Sequence, residues 1–455
     1  MRFLRIKFVR YFTYVSLIMC LSLVFSHMWL EKSTQSVFYD GPIMFTNKKQ
    51  TSQRSQTAQY LTDPQLNPVL RTFNCDKLFK GDNSEINRAS DYLRNVRHFK
   101  NREDDEFRVL SLNCEEYKKS RGFFAAPVTK LEQDFPIAYN ILFHRNIEQF
   151  ERLLRAIYRP QNQYCIHVDK KTPDDVLETM TLLTGCFDNV FIASKLEYII
   201  YASYTRLVAD INCMKDHIER NFEWKYLLNM AASEFPIMTN LQTVQILNEF
   251  DGANDIHEVF IDIDNQRFKQ KHFTYIDMKS KSGYIIHTKK AKEDPPYGLK
   301  ITKGNAYNVF SRAFVEFVLE DERARALLAW STDTLTPDEH YWATLNNLYS
   351  NPFLETPGGF KGNPDKKPFS GRYIGWKATT LLSRCKEKHY VHNVCVFSAL
   401  DLPALKDRYE LIADKFDIEY DPIAYMCMEE WIQNKTLNQE GVRYVKRYKK
   451  FAIAR

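Results

Sequence analysis

The chain contains no GxGxxG after its first apolar strand-like run and no GxxxxGK[ST], so it has neither the dinucleotide fingerprint nor the P-loop. It also lacks GxSxG and HExxH, which removes the serine nucleophile elbow and the helical zinc protease site. No CxxC or His/Cys cluster has zinc-ligand spacing, and no internal repeat is present. A strong excess of one charge is lacking too: 63 basic residues stand against 57 acidic ones, for a net +6. Four of the positive charges, Arg2, Arg5, Lys7 and Arg10, precede the first apolar run, so no nucleic-acid footprint follows.

What is present is enough apolar material for a large core: 455 residues, 44% hydrophobic and 14% aromatic. Residues 11–30, "YFTYVSLIMCLSLVFSHMWL", carry no Asp, Glu, Lys or Arg, and roughly 20 such residues suffice to span a bilayer as a helix. The basic flank is N-terminal and no Ala-x-Ala site follows, so the run reads as an uncleaved signal anchor. The positive-inside rule then makes residues 1–10 a cytoplasmic tail. Residues 31–73, polar and without periodicity ("TNKKQTSQRSQTAQY"), read as a stem, and 74–455 as a lumenal domain. Of nine cysteines, Cys20 lies in the apolar run. The other eight, dispersed in a lumenal segment, point to four disulfides whose pairing spacing alone leaves open. Asn434-Lys435-Thr436 is a glycosylation sequon.

The main domain opens on "FPIAYNILFH" (135–144), which has strand character. "IEQFERLLRAIY" follows, with Ile147, Phe150, Leu153, Leu154 and Ile157 on one helical face. Strand-like runs at 163–169, 189–194 and 224–230 alternate with helical ones at "DDVLETMTLL" and "YTRLVADINCMKDHIE", which predicts an α/β domain with a mostly parallel sheet covered on both faces. Ligands in such sheets bind beyond the strands' carboxyl ends, where His144 and Asp169 fall. Cys75 to about Gln133 reads as helical segments wrapped on this domain.

The segment "LTPDEHYWATL" (335–345) fits a capping box, with Thr336 at the N-cap, Pro337 at N1 and Glu339 at N3. Adjacent acids in a first turn also suit the helix dipole. One of them facing a cleft could instead act as a general base, and both roles coexist if Asp338 or the Thr336 hydroxyl satisfies the first-turn amides.

Several long blocks in one order carry a resemblance: "PIAYNILFHRNIEQFERLLRAIYRPQNQYCIHVDKK", "CFDNVFIASKLEYIIYASYTRLVADINCMKD", "WKYLLNMAASEFPIMTN", "TPDEHYWATL" and "VCVFSALDL...ADKFD". Together they resemble the core 2 and I-branching β-1,6-N-acetylglucosaminyltransferases of glycosyltransferase family 14, which also holds peptide O-xylosyltransferases. The likeness spans about Cys75 to Cys427. It implies a disulfide-stapled GT-A-like fold in a Golgi type II membrane protein. It also implies inverting transfer of N-acetylglucosamine from UDP-GlcNAc to the 6-hydroxyl of an O-glycan acceptor on a glycoprotein, without a metal or other cofactor. I-branching, xylosyltransferase-like activity and a catalytically silent glycan-binding homologue remain the alternatives.

Residue by residue, the resemblance makes Glu339 the catalytic base. It gives nucleotide-sugar contacts to Leu142, Phe143, His144, Asp169, Lys170, Lys171, Tyr201 and Lys415. His392 stands where the family has an arginine; unlike arginine, histidine changes charge near neutral pH. Acceptor contacts map to Glu258, Arg267 and Trp376. The implied disulfides are Cys75 with Cys427, Cys114 with Cys186, Cys165 with Cys213, and Cys385 with Cys395. The literal Asp262-Ile263-Asp264 falls in the acceptor-side segment, away from the strand ends where a nucleotide-bound metal would sit.

Overall fold

The predicted alternation folds into an open α/β sheet. The structure is a computed structural model that describes residues 72–95, 102–260, 266–377 and 385–452. The anchor read at 11–30, nearly all of the stem, and Asp262-Ile263-Asp264 lie outside these residues. Strands β1 (Ile137–Phe143), β2 (Gln163–Val168), β3 (Val190–Ile192) and β4 (Tyr226–Ala231) follow the apolar runs. After them come β5 (Glu234–Pro236), the hairpin β6 (Gln270–Asp277) and β7 (Ser282–Ala291), β8 (Val309–Ser311) and β9 (Arg372–Ile374). A short hairpin β10 (Tyr390–Val391) and β11 (Val394–Cys395) and strand β12 (Ile412–Asp414) complete the set. β4 starts at Tyr226 rather than Trp224, because the Trp224 amide turns back onto the Phe222 carbonyl.

The main sheet runs β3-β2-β1-β4-β8, parallel except for β8. From β1 the chain moves outward to β2 and β3 and then returns to the other side as β4. The order therefore reverses between β1 and β4, the place where open sheets bind ligands. A second sheet, β5-β12-β9, stands beside it. β1 and β2 are buried along their whole length, as the inner strands of a sheet covered on both faces must be.

Helix Tyr204–Glu219 is fixed to the sheet by one stripe of side chains at i, i+4, i+7 and i+11. Asp210 accepts from the Asn140 side-chain amide at 3.1 Å via its carbonyl and from the Asn229 amide at 2.9 Å via its carboxylate. Asn140 and Asn229 face each other in register on β1 and β4. Cys213 is bonded to Cys165 of β2, and the His217 ring lies 2.6 Å from the Gln163 side-chain oxygen. Arg206, the first of the stripe, is left at the cleft end.

Helix Ile147–Ile157 departs from the amphipathic expectation, since all eleven of its residues are buried. Its polar face is covered by the helical N-terminal segment and by helix Pro422–Leu437, through paired charges. The Arg121 guanidinium binds Glu151 at 3.0 and 2.7 Å. Arg155 joins Glu151 and Glu429, and Arg152 joins Glu429 at 2.6 Å and Glu148 at 2.8 Å. Desolvation alone would raise the Glu151 pKa, but Arg121 and Arg155 outweigh it and hold the carboxyl down at about 2. Arg155 and Arg152 likewise hold Glu429 low against its burial.

Four disulfides form: Cys75–Cys427, Cys114–Cys186, Cys165–Cys213 and Cys385–Cys395, the pairing the resemblance implies. Cys75–Cys427 spans 352 residues, and closing so long a loop is worth about 2–4 kcal/mol in the chain-entropy account. Asn434 sits on the exposed side of helix Pro422–Leu437.

Candidate active site

At the carboxyl ends of β1 and β2 the chain turns over the sheet. Leu142 and Phe143 close β1 and are buried, and the Phe143 carbonyl accepts from the Asp169 amide at 2.9 Å. Asp169 Oδ1 accepts from the amides of Lys171 at 3.0 Å and Ile199 at 3.3 Å, while the Lys171 ammonium donates to the Ile199 carbonyl at 2.6 Å. The carboxylate thus draws the 198–201 loop against the end of β2. Lys170 is exposed above the Tyr198 ring, 5.4 Å from its centroid. His144 stands at the mouth, where desolvation and then Arg145 lower its pKa against the pull of Asp169, with Lys171 and Lys415 adding to the lowering. Four residues named from the sequence, His144, Asp169, Lys171 and Lys415, are therefore electrostatic neighbours.

Lys415 follows β12 directly, with its carbonyl accepting from the Phe397 amide at 2.9 Å. His392 lies at the tip of the β10–β11 hairpin. His392 and Asn393 have φ of 52° and 64°, the two left-handed residues that a two-residue hairpin turn needs. The turn lays the His392 imidazole on the Tyr201 ring, centroids 4.3 Å apart and 23° from parallel. Trp376 bridges to Val394 of the same hairpin and is 52% exposed. Tyr201 and His392 so form an aromatic wall at the cleft, with Trp376 on the segment bridged to the same hairpin.

Adjoining this wall is the Thr336–Glu339 turn, and here the capping-box expectation is corrected. Thr336 is left-handed (φ 51°), its side chain makes no capping bond, and Pro337–Glu339 is a single 3-10 turn ahead of helix Tyr341–Asn346. The backbone is pulled elsewhere: the Thr336 amide donates to the Ala202 carbonyl at 2.7 Å, and the Glu339 carbonyl accepts from the Gly304 amide at 2.6 Å. The two acids then part. Asp338 points inward, its carboxylate 7% exposed and 3.9 Å from Arg206 Nε, and its Oδ1 accepts no hydrogen bond. Desolvation dominates over Arg206 and pushes the Asp338 pKa up to about 6. Glu339 points outward, 26% exposed, and accepts from the Arg267 guanidinium at 2.9 Å. Glu339 and Asp338, after desolvation, raise the pKa of Tyr201, which places the turn beside the aromatic wall.

A family model described as Core-2/I-Branching enzyme matches residues 137–406, from the first residue of β1 onward. The human beta-1,3-galactosyl-O-glycosyl-glycoprotein beta-1,6-N-acetylglucosaminyltransferase 3 is 36% identical over 380 residues, covering 81% of this chain and 85% of that protein. A second human protein of that activity name is 35% identical over 374 residues, 80% and 86% of the two chains. A bovine herpesvirus 4 protein is 36% identical over 385 residues, 81% and 84%. The chain belongs to the core-2/I-branching enzyme family.

Not every residue carried over from the family lies open to the cleft. Glu258 is 2% exposed, accepts from the Asn346 side-chain amide and lies 3.7 Å from the Lys367 ammonium. Burial, only partly offset by Lys367, pushes its pKa up to about 7. Arg267, read as an acceptor contact, rests on Glu339 itself. The family resemblance did not single out Arg206, Asp210, Asn140 and Asn229, which support the turn from below. Their signal was a lone asparagine inside each of two otherwise apolar strands, "IAYNILF" and "YLLNMA". Among the described residues, no three His, Cys, Asp or Glu side chains are grouped so as to hold a metal ion.

Proposed function

We propose that this chain is an inverting β-1,6-N-acetylglucosaminyltransferase that adds a core 2-type branch, taking N-acetylglucosamine from UDP-GlcNAc to the 6-hydroxyl of a galactosyl O-glycan on a glycoprotein. The observation that carries the assignment of the base is the parting of the two adjacent acids: Glu339 reaches the cleft and Asp338 is buried under it. Glu339 takes the proton of the acceptor hydroxyl as its oxygen forms the new bond to C1 of the sugar. The C1–oxygen bond to the diphosphate breaks on the opposite face, and UDP leaves with the electron pair. The negative charge that grows on the diphosphate is met by fixed cationic and donor groups, Lys171 past the end of β2, Lys415 at the end of β12 and His392 at the β10–β11 tip, a preorganised electrostatic stabilisation. In this reading a metal is not required, and Tyr201 and Trp376 supply flat faces for sugars.

The activity for which the relatives are named, over about four fifths of the chain, supports this reading. We place the protein in the Golgi membrane, anchored through residues 11–30 with its catalytic domain lumenal, on the strength of the N-terminal pattern and the four disulfides of an oxidising compartment. The test is linkage analysis of the product formed from UDP-GlcNAc and a Galβ1,3GalNAc glycoside in EDTA. A β-1,6-linked branch is expected. A different linkage, or loss of transfer in EDTA with rescue by manganese, contradicts the reading.

A further inference from the structure

We propose that the outward face of the β6–β7 hairpin is a docking surface for the acidic, sugar-bearing polypeptide that carries the acceptor glycan. The proposal rests on the reading that the acceptor belongs to a glycoprotein. Strand alternation divides the hairpin into two faces. The inner face presses on the cleft loop: a Cβ at Gly283 would stand 2.6 Å from Ile200 Cδ1 and 2.4 Å from the Tyr275 carbonyl, so only glycine fits there. The outer face carries two cross-strand pairs in register, Phe273 with Ile286 and Tyr275 with Tyr284. These four side chains are 40, 42, 46 and 59% exposed in the order Phe273, Ile286, Tyr275, Tyr284. A contiguous exposed patch of large apolar side chains is a recognised mark of an interaction site.

Position and charge select the occupant. The hairpin runs along the cleft edge from Arg267, which holds Glu339 just before β6, to Lys281 near the turn, 3.7 Å from Asp174 in the helix after β2. Its base is fixed by Lys271 and Lys292 on Asp333. Residues 269–292 hold seven lysines and one acid, Asp277. Lys279, Lys289 and Lys290 are exposed and have no ion-pair partner among the described residues, and Lys290 stands 5.9 Å from the centroid of Phe273. Rings that can stack on the C–H faces of sugars, next to unpaired lysines, fit a chain carrying carboxylates on acidic sugars or on Asp and Glu. A second copy of this chain fits poorly, because a two-fold contact would set the same lysines against each other.

Two double variants of the full-length, detergent-solubilised protein test this: Tyr275→Ser with Tyr284→Ser, and Lys289→Glu with Lys290→Glu. Binding to an immobilised sialylated mucin-type glycoprotein is measured without donor, and kcat/KM is measured on that glycoprotein and on the free disaccharide glycoside. Each variant should weaken glycoprotein binding by about tenfold or more and raise KM for the glycoprotein, with disaccharide kinetics within about twofold of wild type. Unchanged glycoprotein binding overturns the proposal, as does an equal loss on both acceptors. So does a change in oligomer mass, or a loss confined to anionic vesicles. If wild type binds the glycoprotein but transfers to neither acceptor, the activity assignment fails and the binding comparison still decides the surface.

Discussion

Two buried charge clusters sit among the described residues, one behind the sheet and one beneath the cleft; burial raises the carboxyl pKa in both, but only in the first do the arginines outweigh it. Around helix Ile147–Ile157, Arg121, Arg152 and Arg155 alternate with Glu148, Glu151 and Glu429, and the carboxyls of Glu151 and Glu429 are held below their ordinary range. Under the Glu339 turn, Arg206 gives its 2.5 Å contact to Asp210 and stands 3.9 Å from Asp338. Asp338 is pushed up to about 6 by burial, and nearby Glu234 to about 8 even with Arg372 at 2.7 Å. The first cluster is closed and supports the scaffold. The second carries a desolvation cost next to Glu339, the acid that faces the cleft, the stability–activity trade-off expected where a site holds charge away from water.

The largest expected effect breaks the closed cluster. Glu429→Ala removes the carboxylate between Arg152 and Arg155 and should cost about 3–5 kcal/mol of stability, as breaking a buried pair does, with kcat of the folded enzyme unchanged. Chemical denaturation and active-site-normalised kinetics check it, and a loss under about 1 kcal/mol would remove the contrast between the clusters. Asp338→Asn sharpens the same contrast from the other side. Ionising this buried carboxyl at neutral pH costs the folded state up to about 3 kcal/mol, so the variant should gain about 1–2 kcal/mol in stability. It should lose about tenfold in kcat, because the Arg206 attraction that draws in the Glu339 turn is gone.

The pH dependence of unfolding separates the two clusters by sign. Glu151 has a folded pKa of about 2 against an ordinary 4.5, so its contribution is complete above about pH 4.5 and is lost as pH falls toward 2. Asp338 has a folded pKa of about 6 against 3.8, so its penalty is absent below about pH 3.8 and complete above about 6. Equilibrium urea unfolding across pH 3 to 7 should show Asp338→Asn flattening the second window and Glu151→Gln the first. The smallest expected effect concerns the cleft rim: His392→Arg, which restores a permanently charged side chain, should raise kcat/KM above pH 7 by a few-fold, within about tenfold. A strained left-handed arginine at that turn limits the gain.

Much of the frame was readable from the chain. The β1 to β4 runs and helices Ile147–Ile157 and Tyr204–Glu219 were read from periodicity, because the apolar spacing is set by burial within each element. The family likeness gave the disulfide pairing and named residues that do converge at the strand ends. What could not be read came from contacts between distant segments. Capping statistics predicted a helix start at Thr336, whereas the backbone of Ala202 and Gly304 claims that turn. The apolar spacing in Ile147–Ile157 marked one helical face, whereas the polar face is neutralised and buried by Arg121 and Glu429, remote in sequence. Arg267, at the near end of the hairpin proposed for docking, lies on Glu339 for the same reason: its partner is 72 residues away.

Glu339→Gln tests the central claim most directly, since glutamine keeps the size and the Arg267 contact while removing the base. Transfer from UDP-GlcNAc to the disaccharide acceptor should fall by about a thousandfold, with UDP binding within about threefold of wild type. Transfer within about tenfold of wild type would contradict the assignment of the proton to this carboxylate.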